Sequence, residues 1–206
     1  MTLFRGYELA HGQYRVQKKE ADGKMSGRAV TVAEPATKEN FEAHLNGGDY
    51  ILVIIMLREN NSCNFGVIDV DIRGEVKLNE SLEELEKKIN KTPLVLCRSK
   101  SGGAHLYLFC EPAIPAIDMV AKLNEFAATL GYGGAEIFPK QISRANERDR
   151  GNWINLCYWD GDNSERYAIH NGKKLNLKQF LNVAEKKRTT FEELEKYKAE
   201  LDDKFE

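Results

Sequence analysis

Apolar and polar positions along the chain fall into short blocks whose spacing alternates between the period of a strand and that of a helix. YILVIIML (50–57) is an unbroken apolar run of strand length, rich in β-branched residues. After the polar break RENNSCN comes FGVIDVDIR, a second strand carrying two aspartates. PLVLCR and HLYLFC predict two more strands, AEIFP and NWINLCY a further two, and Tyr167–Ile169 a last short one. Helical spacing marks TKENFEAHLN, opened by Thr37 and stopped at Gly47-Gly48. A second helix is predicted over 81–91, where Ser81 and Glu84 form a capping-box pattern ahead of Leu82, Leu85 and Ile89. AIDMVAKLNEFAATLG follows, with Ile117, Val120, Ala127 and Leu130 among its apolar positions and Gly131 as its stop. LKQFLNVAEKK and a final segment capped by Thr190 and Glu193, running through Leu194, Tyr197, Leu201 and Phe205, complete the helices. Residues 1–34 give only short segments punctuated by glycine, with QKKEADGKMSGR reading as a solvated loop. This order predicts an α+β sheet with helices on one side.

Composition adds boundaries. At 206 residues with 42% hydrophobic positions, the chain can bury a sizeable core. Its 30% charged residues and mean hydropathy of -0.52 predict a soluble, intracellular protein with no membrane partner. The opening MTLFRGYELAHGQYR lacks the apolar run of a signal peptide. Cys63, Cys97, Cys110 and Cys157 are scattered without a C-x-x-C pair, so neither a disulfide framework nor a zinc module is expected. A net charge of -2 does not announce a nucleic-acid binder, yet Arg98, Lys100, Lys140, Arg144, Arg148 and Arg150 cluster near the segments discussed next.

In Val67–Ile72 the strand period points Asp69 and Asp71 to one side, ~6.5–7 Å apart, with Val70 and Ile72 turned toward a helix-covered core. Unit charges about 4 Å apart near a surface repel by about 4 kcal/mol. Divalent ions relieve such repulsion and stabilise the oxygens of an in-line phosphoryl displacement. For an isolated D-x-D, a solvated strand edge is the simpler reading. Between two strands lies Ser99-Lys100-Ser101-Gly102-Gly103-Ala104-His105, where the glycines let backbone N–H groups approach phosphate oxygens and Arg98 and Lys100 add charge. Taken alone this is a hairpin turn beside a structural histidine. Glu136 emerges from the apolar strand AEIFP, followed by Lys140 and Gln141; by itself it reads as an ordinary surface acid.

The ordered set FGVIDVDIR, SKSGGAHLYLF, EIFPKQ and GNWINL resembles the archaeo-eukaryotic primase superfamily, in its primase-polymerase branch of phages, plasmids and mobile elements. The resemblance spans roughly residues 40–160. It implies an RRM-like α+β catalytic core with antiparallel or mixed sheets and flanking helices, over 1–185, followed by a charged helix or linker at 186–206. It implies a DNA primase/polymerase that transfers nucleotides onto a 3′-hydroxyl and releases pyrophosphate. Asp69, Asp71 and Glu136 would hold two Mg²⁺ or Mn²⁺ ions. His105, with Lys100, Ser101, Gly102, Gly103 and Arg98, would bind the incoming NTP or dNTP, assisted by Lys140 and Arg73. Partners implied are a single-stranded DNA template and primer, with a helicase domain or protein as a further one.

The chain departs from the pattern in three places. Its third acid is Glu136 where relatives often have aspartate, Gly103 stands where many have serine, and no zinc module is expected. Three other readings compete. A gap-filling repair polymerase would use the same acids. A non-catalytic RRM-like nucleic-acid-binding module would present aromatics rather than aspartates on its central strands. A replication-initiator-type nuclease would need paired histidines, but His11, His44, His105 and His170 form no H-x-H. Trp153, Tyr158 and Trp159 are expected to pack rather than stack on a base.

Overall fold

A computed structural model describes residues 2–19, 25–72, 78–99, 103–146 and 148–202. In chain order the elements are β1 (His11–Lys19), β2 (Met25–Val32), α1 (Lys38–Leu45), β3 (Ile51–Ile55), β4 (Ser62–Val70) and α2 (Leu78–Ile89). They continue with β5 (Val95–Arg98), β6 (Ala104–Pro115), α3 (Ala116–Thr129), β7 (Glu136–Phe138), β8 (Trp153–Asn155), β9 (Ala168–His170), β10 (Lys173–Lys174), α4 (Leu177–Lys187) and α5 (Phe191–Asp202). The strands form two sheets, ordered β2-β1-β3-β8 and β10-β9-β5-β6-β4-β7, and every ladder is antiparallel.

The apolar runs fall where their period predicts, but they build two sheets rather than one. YILVIIML supplies β3, which joins the first sheet, while Phe65–Val70 of FGVIDVDIR lie in β4, between β6 and the edge strand β7 of the second, and Asp71 follows just past the strand's end. The hairpin β1–β2 occupies the segment expected as loop. Its few apolar positions, such as Tyr14 and Val30, are spaced among glycine and charge, so the strand signal is weak. Pairing of Gly12–Tyr14 with Ile51–Val53 of β3 anchors it.

α2 and α3 cover one face of the second sheet. Leu82, Leu85 and Ile89 of α2 and Met119, Leu123 and Phe126 of α3 pack with Ile68, Val70, Leu96 and Leu106, and Ile72 joins them. Gly66 brings α3 close to β4, because a Cβ there would lie 2.6 Å from Leu123 Cδ1 and 2.8 Å from Met119 Cγ. α2 starts at Leu78, one turn earlier than its capping pattern suggests, so Ser81 sits inside the helix. In α3 the buried stripe is carried by Met119, Leu123 and Phe126, whereas Ile117 is exposed. Thr37 does cap α1, Gly131 ends α3 in a left-handed conformation (φ 86°), and Thr190 and Glu193 cap α5 reciprocally.

The opposite face is buried as well. Phe65, Val67, Val95, Cys97, Tyr107 and Phe109 share a core with Leu52 and Ile54 of β3, Ile154 of β8, Phe4, and Phe180 and Ala184 of α4. Phe4 sets its edge against Phe65, Tyr107 and Phe109. Tyr158 stacks on Phe180 at 5.0 Å, and Trp159 donates to the Gly48 carbonyl at 3.1 Å. All four cysteines are buried free thiols. The expected boundary at 185/186 falls inside α4, and α5 packs on the core through Leu194 and Tyr197. No helix among the described residues is long and apolar enough to cross a membrane.

Candidate active site

The chemistry-bearing residues meet where three strands come into register. Asp69 of β4 stands opposite His105 of β6 on one side and Glu136 of β7 on the other. Directly opposed residues of antiparallel strands share a face, so His105, Asp69 and Glu136 form one row. Cys97 and Ala168 continue it through β5 and β9. Along the strands this face grades from apolar to polar: Phe65, Val67, Asp69 on β4, and Phe109, Tyr107, His105 on β6. The apolar end is locked in the core. The polar end borders a cleft of about 620 Å³ lined by Asp69, Asp71, Glu136, Tyr132 and Ala135.

Charge is crowded here. Burial, then the nearby Asp71 and Glu136 carboxylates, push the Asp69 acid up to about 6, against a smaller opposing pull from Lys140. Burial, reinforced by the positive charge of Arg166, holds His105 down at about 4. His105 Nε2 lies 3.5 Å from Asp69 Oδ1. A strong ion pair would draw these two values in the opposite directions, so the contact is between a neutral imidazole and a carboxyl group. With an acceptor facing Nε2, the ring proton belongs on that nitrogen. Nδ1 then accepts from the Tyr107 hydroxyl, 3.4 Å away.

Glu136 accepts from Lys140 Nζ at 3.1 Å, and that ammonium lies 5.0 Å from the centre of the Phe138 ring. As the side chains stand, no three His, Cys, Asp or Glu among the described residues are gathered to hold an ion. The donor chemistry nonetheless fits a hard divalent cation, since the three acids lining the cleft offer only oxygen. The repulsion that raises Asp69 is of the kind such a cation removes.

The basic turn leaves β5 at Ser99, whose N–H donates to the Gly103 carbonyl at 2.9 Å. Gly103 has to be small: a Cβ there would be driven into the Val70 carbonyl oxygen and would stand 3.3 Å from Ser99 Oγ. Lys100, Ser101, Gly102 and Arg73 lie outside the described residues. Arg98 is not brought to His105. It pairs with Ala104, between residues of the helix-covered core, and its guanidinium sits 6.0 Å from the Tyr167 ring centre. Sequence reasoning passed over two residues on the His105 face. Tyr107 was detectable in principle, two positions along the same strand. Arg166, in the connector SERYAIH, carried no signal.

An α+β domain with Asp69 between His105 and Glu136 in one row, and Asp71 lining the same cleft, has the make-up of a primase/polymerase-type nucleotidyltransferase domain. The chain belongs to the archaeo-eukaryotic primase domain family of TOTE conflict systems, whose family model matches residues 5–168. That span takes in the β1–β2 hairpin and every strand through β8, and ends at the first residue of β9. Among solved structures, the archaeo-eukaryotic primase domain of the cyanophage S-2L primase-polymerase is similar at 14% identity and a TM-score of 0.40, covering 85% of this chain and 89% of that one. A comparison with curated proteins finds no match.

Proposed function

We propose that this domain synthesises or extends primers on single-stranded DNA by metal-dependent, template-directed nucleotidyl transfer. The observation that carries the reading is the register of Asp69 between His105 and Glu136. It gathers onto one face three side chains, an imidazole and two carboxylates, that are distant in sequence. The reaction forms a bond between a primer 3′-oxygen and the α-phosphorus of an incoming nucleotide and breaks the bond to the leaving pyrophosphate. Asp69, Asp71 and Glu136 would hold Mg²⁺ or Mn²⁺, which when bound supplies positive charge to the reacting phosphate oxygens. Glu136 would exchange its contact with Lys140 for that role, freeing the ammonium to meet a phosphate. His105 keeps a proton on Nε2 and, being neutral, offers it as a hydrogen-bond donor to the triphosphate. The Tyr107 hydroxyl, donating to Nδ1, accommodates that tautomer. Asp69 on an interior strand and Asp71 just past its end, rather than aromatics, weigh against a purely binding module, because unscreened acids repel a phosphodiester backbone.

Primer extension with a labelled primer, each nucleotide type, and Mg²⁺ or Mn²⁺ tests the proposal. The double variant Asp69→Ala, Asp71→Ala should lose extension by about a thousandfold or more, the scale of removing electrostatic stabilisation from a transition state. Its melting temperature should hold or rise, since two mutually repelling carboxylates are gone. Undiminished extension in the double variant would remove these residues from the site.

A further inference from the structure

We propose that Arg166 is the buried cation of the phosphate pocket, aimed at the same sheet face as His105 and Asp69 and completing the anion cradle that Arg98 cannot reach. The inference rests on the polymerase reading for its ligand, the terminal phosphates of a nucleoside triphosphate.

Register supplies the placement. Cys97 stands opposite Ala168, and the Arg98 N–H donates to the Tyr167 carbonyl at 2.9 Å, so the ladder continues one step beyond β9. That step sets Arg166 beside Ser99, on the face of Ala168 and Cys97 rather than that of Arg98. Ser99 in turn bonds to Gly103. A second row, Arg166, Ser99, Gly103, therefore runs next to the row of His105 and Asp69, at the mouth of the basic turn.

The state of the side chain supplies the chemistry. Arg166 is 6% exposed, and its buried Nη2 has no hydrogen-bond partner among the described residues. No carboxylate there forms a salt bridge with it. Burial lowers its proton affinity, opposed only by Tyr107, Cys157 and Tyr14, none of which is a carboxylate. A buried guanidinium in that condition is costly, and each buried polar atom left bare calls for an explanation. Phosphate oxygens provide one, because the guanidinium fork matches them in pairs.

The test is calorimetric titration of inorganic tripolyphosphate, without metal, into wild type, Arg166→Lys and Arg166→Met, with melting temperatures measured alongside. Wild type should bind and gain thermal stability from the ligand. Arg166→Met should weaken binding tenfold or more while melting at or above the wild-type temperature, because no internal bond of Nη2 is lost. Arg166→Lys, which keeps the charge but not the fork, should fall between. Equal affinity in wild type and Arg166→Met overturns the inference, as does absence of binding by wild type. If Arg166→Met fails to fold, Arg166→Lys decides: affinity unchanged from wild type sinks the assignment. Failure of the two readings is separable. Tripolyphosphate binding that depends on Arg166 without any primer extension leaves Arg166 standing and removes the polymerase. Extension with an unaltered nucleotide KM in Arg166→Met does the reverse.

Discussion

His44 Nδ1 accepts the Leu52 N–H at 3.1 Å, so its ring proton must sit on Nε2, which faces the Cys157 carbonyl at 2.7 Å. A second proton would evict the Leu52 bond. Burial accordingly holds the group down at about 4, against a smaller upward pull from the Cys157 carbonyl. The fold thus favours neutral His44. Its contribution is complete above the unfolded value near 6.5 and is lost as pH falls from there through about 4, amounting to about 3 kcal/mol at most. Urea unfolding at pH 7.5 and 4.5 should show His44→Gln losing less stability on acidification than wild type. Equal losses would remove His44 from the account. Residue by residue, the candidate site was half legible. Asp69, Asp71, His105 and Glu136 stood out because their residue types break apolar strands. Arg98 looked equivalent to any nearby cation, because a strand's parity relative to its neighbours is unknown until register is fixed. Arg166 lay thirty positions beyond Glu136 in a plain connector, and only β9 pairing with β5 brings it alongside.

At the scale of elements, the α3–β4 contact is the most exacting. Gly66 lets Met119 and Leu123 lie directly on the sheet behind Asp69. Gly66→Val should push α3 outward and cost about 1–3 kcal/mol or more, as overpacking does, measured by chemical denaturation. Because Asp69 is on the same strand, nucleotide affinity should fall with it. A change below about 0.5 kcal/mol would show that α3 can slide freely. Long apolar runs and caps were readable here: Thr37, Gly131 and the Thr190–Glu193 pair act as their residue types suggest. The β1–β2 hairpin was not, because two strands with little apolar surface owe their order to β3 rather than to their own pattern.

Across the whole molecule, α5 ties the C-terminal segment to the core that α2 and α3 cover. Leu194 is fully buried, Tyr197 packs edge-on to Phe126 at 6.4 Å, and Glu195 reaches Lys122 Nζ at 2.7 Å. Just before the helix, Thr189 exchanges backbone bonds with Phe109 and Glu111 of β6. Leu194→Ala should therefore cost about 2–5 kcal/mol in equilibrium unfolding, whereas a helix acting as a free linker would lose well under 1 kcal/mol. By itself the sequence determined the apolar strands, the helices, and the identity and order of the acids and the histidine, because hydrophobic period and residue chemistry are local properties. Only the tertiary structure decided the rest: the split into two sheets, the side each cation faces, and the adjacency of Asp69 to both His105 and Glu136. Those depend on which strands pair and in what register, and a shift of a single residue would turn every side chain to the other face.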